Sequence, residues 1–512
     1  MESILNFYRK SPYTVILIVA IFLRVLASIF SQGYLMHDDH FLIIESGGSW
    51  ADGRDAMGWL PGTEVSWEEP QGHSLLFPGL NMLWIMFIKL LGIQDPKLIM
   101  IFVRLFTSIF SILTVVYGIK LARKITDEKK SILIGWVLAI LWILPFLGVR
   151  SLVEVVSIPF LILAIYQIKL NELQEKGLWA FIWAGIFLGI AFSVRYQTAL
   201  FTFGVGLVLV FQKKWIESLL LTVGFAIPVL LSQGLIDFLI WGRPFAEMKA
   251  YIDYNATHSD SYVLAAWWSY PLLLMLAGLS FINLGWFIGF FKVFKKYLII
   301  SLPVFIFLAF HTYFPNRQER FILPVVPLFM MLGIIGWETI VSERSKSWLI
   351  KLNKTGIWMF FILNLSVGLF LDFSYSKMTR VEGAYYLYQK NETGKFSILI
   401  ENTGGGKVPQ YPKFYSQNWN TFEFYLGGPN DFEKFRTWWQ MKHPGVKYIM
   451  FFNKKNLDVR LDTIRKYYPN IEEDTIIRAE GIDKILHELN PRNNNHDLFI
   501  YKVSDYHSIE EE

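Results

Sequence analysis

Three polar segments interrupt an otherwise apolar chain, and their residue types suit a proton transfer beside a departing anion. The first is Met36-His37-Asp38-Asp39-His40-Phe41. The second runs over residues 66–74 and holds Ser66, Trp67, Glu68, Glu69, Gln71 and His73. The third is Asn316-Arg317-Gln318-Glu319-Arg320-Phe321, followed by Pro324 and Pro327. A carboxylate can take the proton of an attacking hydroxyl, and an arginine can stabilise the charge growing on a leaving phosphate. Asp38 and Asp39 are therefore candidate bases. Adjacent side chains point in different directions, so one of them reaches the acceptor and the sequence leaves either open. Arg317 and Arg320 could equally bridge carboxylates that hold loops together. His37 with Asp38 and Asp39 could hold a divalent metal, but the spacing is undefined and a hard cation prefers oxygen ligands. Trp67 could stack on a sugar or simply anchor the interface.

These segments are positioned by a chain that is 53% hydrophobic and only 18% charged over 512 residues. Apolar runs of nearly 20 residues recur, which predicts a polytopic helical membrane protein. Its 44 Phe, 24 Tyr and 19 Trp suit lipid interfaces. The net charge of +5 comes from Lys and Arg in loops, so it reports topology and not a nucleic-acid partner. With no Cys, disulfides, thiolate metal sites and a Cys nucleophile are excluded. That suits the inner (cell) membrane of a bacterium better than a secretory pathway.

Arg9 and Lys10 precede the first span, residues 12–30, which places Asp38 and Asp39 on the outer, periplasmic side. The basic loop 120–130 must be inside, so the apolar stretch 74–91 is expected to lie in the interface and not to cross. About eleven spans then alternate consistently, among them single spans at 132–148 and 268–290. All three polar segments fall on one side. The boundary is set at 375: residues 1–375 form the membrane module, and 376–512 a small extracytoplasmic α/β domain. In the latter, β-rich runs at 396–400, 446–452 and 498–503 alternate with amphipathic helices at 429–440 and 457–468.

The motifs resemble those of the GT-C glycosyltransferases, and more narrowly the family 22 mannosyltransferases. Residues 35–41 are similar to the "HPDE-x-F" signature; Val65-Ser66-Trp67-Glu68 with His73-Ser74 and Phe77-Pro78 to "TWE…RS..FP"; and 316–324 to "HKE-x-RF-x-x-P". Asp237, Trp241-Gly242 and Tyr254-Asn255 resemble the "D…YG" element. Asp39 stands where Glu is commoner, His73 replaces the "RS" arginine, and Asn316-Arg317 replaces "HK". The resemblance implies a GT-C fold with interfacial helices in the first outer loop. It also implies inverting transfer of one sugar, mannose, from a polyprenyl-phosphate donor to a glycan or lipid-linked acceptor. Asp38 or Asp39 would be the base, and Arg320 with Arg317 or His73 would hold the donor phosphate. Trp67, Glu68, Glu319 and Asn255 would complete the substrate site. No nucleotide cradle is expected; Gly404-Gly405-Gly406 lacks the spacing.

Three alternatives share the composition. A transporter or flippase for a lipid-linked glycan predicts broken helices and charges at mid-membrane. A glycan polymerase or ligase would not need the Asp pair. A scaffold would tolerate loss of both acids.

Overall fold

The computed structural model describes residues 2–63, 69–258, 265–344, 346–392, 394–402, 409–427, 445–490 and 495–504. Among the described residues, six helices are long and apolar enough to cross a membrane: Pro12–Phe30, Pro96–Ile125, Val153–Glu172, Trp215–Trp241, Glu319–Arg344 and Ser347–Asp372. Four shorter apolar helices accompany them: Leu76–Leu90, Trp179–Val194, Tyr196–Phe211 and Leu298–Tyr313. The protein is thus a multi-pass membrane protein. Leu76–Leu90, in the stretch expected to lie flat, has 15 residues. At 1.5 Å per residue it covers about 22 Å, short of a hydrocarbon core of about 30 Å.

Two expected single spans are broken. Residues 132–148 divide into Glu128–Ile140 and Ile143–Leu147, and residues 268–290 into Ser269–Leu276 and Ile282–Lys292. Backbone groups freed by a break inside an apolar layer need partners, and buried polar side chains supply them. Arg24 donates to Ala139 O (2.9 Å) and Leu138 O (3.1 Å). Trp142 N donates to Asn364 Oδ1 (3.1 Å), Trp142 Nε1 to Ala277 O (2.9 Å), and Asn364 Nδ2 to Gly278 O (2.6 Å). Trp142 and Asn364 therefore stitch the two breaks together. Local hydropathy cannot show such breaks, because their partners lie far away in sequence.

Contacts divide the chain into two units. The first comprises Met1–Ile29, Gly58–Leu80 and Phe102–Asp372. It is a helical bundle, and its helices Ile282–Lys292 and Val326–Arg344 approach closely at Gly289 and Gly336. A Cβ on Gly336 would stand 1.9 Å from Gly289 O, so only glycine permits this crossing.

The second unit comprises Phe30–Met57, Asn81–Ile101 and Phe373–Glu512. Short strands β1 (Gln32–Gly33) and β2 (Tyr375–Ser376) pair in parallel. Gly33 has φ +69°, and a Cβ there would meet Ser376 O at 1.8 Å. Beyond them, β3 (Phe396–Glu401), β4 (Thr421–Leu426), β5 (Val446–Phe451), β6 (Ile471–Ile477) and β7 (Leu498–Val503) form a mixed sheet in the order β4-β3-β5-β7-β6. Leu399, Ile449, Phe451, Phe499 and Tyr501 build its core with Leu461 and Ile464 of the helix Leu457–Arg465. The helix expected at 429–440 lies outside the described residues. Lys97 pairs with Glu382 (2.6 Å), and Tyr385 donates to Asp95 (2.6 Å), which ties 81–101 to the C-terminal part of the same unit.

Candidate active site

The acid pair belongs to the second unit. After β1 the chain turns, and Leu35 N and Met36 N each donate to the Asp39 carboxylate at 3.1 Å. A carboxylate that accepts from backbone amides at a helix start stabilises the turn. Asp39 is accordingly buried, at 4% exposure. Asp38, in the first turn of the helix His37–His40, leaves 41% of its side chain accessible. The two adjacent acids thus have different work: Asp39 shapes the loop, and Asp38 faces outward. His37 Nδ1 is 3.8 Å from Asp38 Oδ1. Among the described residues no three His, Asp or Glu side chains gather as metal ligands. Each Asp39 oxygen accepts one backbone N–H, so the three side chains do not present a preformed ligand set.

His40 anchors the next turn of the chain. Its ring lies between Tyr34 (centroids 4.9 Å apart, 17°) and Tyr415 (5.4 Å, 12°). Its Nε2 is 2.9 Å from Glu45 Oε1, and Glu45 also accepts from Phe414 N at 3.0 Å. Between His40 and Ser46 the helix widens into a π turn, Phe41–Glu45, a form that recurs at functional sites. Residues 34–45 and 411–419 are therefore one packed substructure.

The cationic residues belong to the first unit. Arg195 ends the helix Trp179–Val194, and Arg320 lies in the 3-10 turn Glu319–Val325. Their guanidiniums share one carboxylate, Glu154 Oε1, at 3.0 and 3.2 Å. All three side chains are buried. Nε and Nη2 of Arg195 have no hydrogen-bond partner among the described residues. Both guanidiniums also lie on the Phe321 ring, at 5.0 and 5.6 Å. Phe321 is part of the wall of a cavity of about 400 Å³, together with Tyr196, Tyr251, Phe310, Asn255 and Asn316.

The second polar segment closes on the same unit. Gly72 N (2.7 Å) and His73 N (3.1 Å) donate to Glu247 Oε2. Burial pushes the Glu247 carboxyl up to about 7, although those two amides favour its charged form. Ser74 Oγ donates to Ser193 O and accepts from Gln233 Nε2 at 3.0 Å, while Tyr196 OH donates to Gln233 Oε1 at 2.5 Å. Gln197 bonds the Tyr251 hydroxyl, whose pKa burial raises.

The residues singled out from sequence fare differently. Trp67 and Glu68 lie outside the described residues. The His73 ring stacks on Trp59 (5.0 Å, 11°). Arg317 donates to the carbonyls of Thr312 (2.9 Å) and Tyr313 (3.3 Å) of its own loop and to that of Ala265 (2.6 Å), 52 residues away. Glu319 is exposed. Asn255 faces the cavity and donates to Tyr251 O at 2.8 Å. Arg195, Glu154, Tyr251 and Glu247 were not among the sequence candidates. The available signal for the first two was a charge at the end of an apolar run.

Comparison with known proteins agrees with this architecture. The profile of the Alg9-like mannosyltransferase family matches residues 14–398. GPI mannosyltransferase 3 of Yarrowia lipolytica is 22% identical over 372 residues, covering 70% of this chain and 68% of the relative. In fold, the chain is similar to ArnT from Cupriavidus metallidurans bound to undecaprenyl phosphate (TM-score 0.64, 8% identity, 97% and 99% of the two chains). It is also similar to the archaeal oligosaccharyltransferase AglB from Archaeoglobus fulgidus in complex with an inhibitory peptide and a dolichol-phosphate (TM-score 0.53, 10% identity, 90% and 71%). At such identities the likeness is one of fold, the GT-C fold. The chain belongs to the Alg9-like mannosyltransferase family and is a membrane glycosyltransferase.

Proposed function

We propose that the enzyme transfers a single mannose from a polyprenyl-phosphate donor to a glycan or lipid-linked acceptor, with inversion, on the outer face of a bacterial cell membrane. The observation that carries this reading is the buried Arg195, whose Nε and Nη2 have no hydrogen-bond partner among the described residues, beside an aromatic-walled cavity. Unpaired N–H groups on a buried cation are costly and are expected to meet an anionic ligand. A lipid phosphate has that chemistry, and the two solved relatives in fold carry polyprenyl phosphates.

In this reading Asp38 takes the proton of the acceptor hydroxyl as its oxygen bonds to C1 of the sugar. The C1–O bond to phosphate breaks, and its electron pair stays on the lipid phosphate, whose charge rises by one. Arg195 and Arg320 stabilise that added charge. Trp67, Glu68, His73, Glu319 and Asn255 are assigned to binding sugar or acceptor. Eleven crossings keep the acid pair on the outer side. The broken helices favour the transporter alternative; against it, Trp142 and Asn364 take up the groups freed at both breaks.

The test is transfer by the purified protein, in detergent, from polyprenyl-phosphate mannose to a mixed glycan acceptor pool, with and without EDTA. Labelled product in wild type and its loss in Asp38→Asn support the reading. Absence of transfer from any polyprenyl-phosphate sugar refutes it.

A further inference from the structure

The C-terminal sheet carries a polar pocket of its own. Strand β5 is parallel to β3 on one side and antiparallel to β7 on the other, and β6 is antiparallel to β7. The carboxyl ends of β5 and β6 therefore emerge at one edge of the sheet, flanking the amino end of β7. In open α/β sheets ligands collect outside the carboxyl ends of strands. A pocket of about 470 Å³ lies there, within the range of small-ligand sites. Lys454, just past β5, and Arg478, just past β6, line it, as does Lys484 from the helix Gly481–Leu489.

None of these three cations forms an ion pair with a carboxylate among the described residues. Two carboxylates share the wall, Glu480 and Asp497. Asp497 is held in place, since its Oδ1 accepts from Ala479 N at 2.8 Å. Ile476 and Phe499 add apolar surface. The pocket thus offers carboxylate acceptors for hydroxyls, an apolar patch for a C–H face, and one more positive charge than negative. That combination does not suit a lipid tail or a neutral sugar. It suits a polyhydroxylated ring that bears an anionic group.

We propose that this pocket is a second saccharide site, which takes a phosphate- or carboxylate-bearing sugar of the acceptor. That the sugar belongs to the acceptor rests on the transferase reading; occupancy of the pocket does not, and it is measured without transfer. Full-length protein in detergent is titrated with mannose 6-phosphate, glucuronate, mannose and inorganic phosphate by calorimetry. It is compared with the Arg478→Ala/Lys484→Ala double variant and, as a charge control, with Lys466→Ala, an exposed lysine just past the helix Leu457–Arg465 and outside the pocket. Binding of at least one anionic sugar is expected, with mannose at least tenfold weaker. The double variant should lose tenfold or more for that ligand, and Lys466→Ala should not. The two anionic sugars distinguish phosphate from carboxylate. Failure of both to bind, equal binding of mannose, equal binding of inorganic phosphate, or indifference to the double substitution would each overturn the proposal. A melting temperature of the double variant close to wild type shows that the domain has folded. Wild-type transfer with no anionic-sugar binding would sink this site alone, whereas binding without transfer would sink the transferase mechanism alone.

Discussion

Arg195 Nη1 lies 3.0 Å from Glu154 Oε1, an oxygen that Arg320 Nε also approaches at 3.2 Å. One buried carboxylate thus serves two buried guanidiniums. Removing Arg195 leaves the Arg320–Glu154 contact in place, while removing Glu154 takes away the carboxylate that both guanidiniums share. Arg195→Gln should therefore fold and lose roughly 100-fold in kcat/KM for the lipid donor, as when one transition-state donor is removed. Glu154→Gln should cost about 3–5 kcal/mol of stability, the usual cost of stranding buried charge. Donor kinetics and thermal melts separate the two, and near-normal kinetics in Arg195→Gln would remove it from the phosphate site.

The acid pair yields the second prediction. Asp38→Asn should lower transfer by about 10²–10⁴-fold with an unchanged melt, since a general base is worth that much. Asp39→Asn keeps one oxygen for the two amides of Leu35 and Met36. Its expected cost is about 1–2 kcal/mol of stability, from one weakened charge-assisted bond. The reverse pattern, with a stable but inactive Asp39→Asn, would assign the base to Asp39.

The range of each interaction decided how much of this was legible in the sequence. Apolar runs and the order of the three polar segments are local, and they announced the membrane fold and the family. The strands at 396–401 and 446–451 were equally legible from their β-branched and aromatic content. That Asp39 and not Asp38 caps the turn depends on backbone direction at Leu35 and Met36, which composition does not encode. The Glu154 ion pairs join distant helices, so only packing reveals them. The breaks near Leu141 and Gly278 were invisible because Arg24, Trp142 and Asn364 satisfy them from elsewhere in the chain. Arg317 was partly hidden for a related reason: a cationic motif in a loop cannot show that its Nε, Nη1 and Nη2 each donate to a backbone carbonyl, of Thr312, Ala265 and Tyr313.

The His40 stack supplies a third prediction. Glu45 accepts from both His40 Nε2 and Phe414 N in a buried site. Glu45→Ala should leave those donors unsatisfied at about 1–3 kcal/mol each and loosen residues 411–419. His40→Phe should do less, since a ring still fills the gap between Tyr34 and Tyr415 while the Phe414 bond survives. Hydrogen exchange over 33–45 and 411–419 reports both. Faster exchange in only one of these stretches would mean that they are not a single packed substructure.

Glu247 makes stability depend on pH. Its carboxyl titrates near 7 in the folded protein, against an ordinary 4.5, because burial disfavours the charged form. The folded state therefore holds a proton that the unfolded chain has already released. The resulting stabilisation is complete below about 4.5 and is lost as pH rises to about 7, by up to about 1.4 kcal/mol per pH unit. Glu247→Gln keeps an oxygen for Gly72 N and His73 N but cannot ionise. Asp237, which accepts from Glu247 N at 2.9 Å, is present in both proteins. Melting temperatures at pH 5, 6, 7 and 8 should show the variant gaining on wild type up to about pH 7 and then running parallel. A constant difference across the whole range would mean that Glu247 is already ionised at pH 5, and that the two amides outweigh its burial.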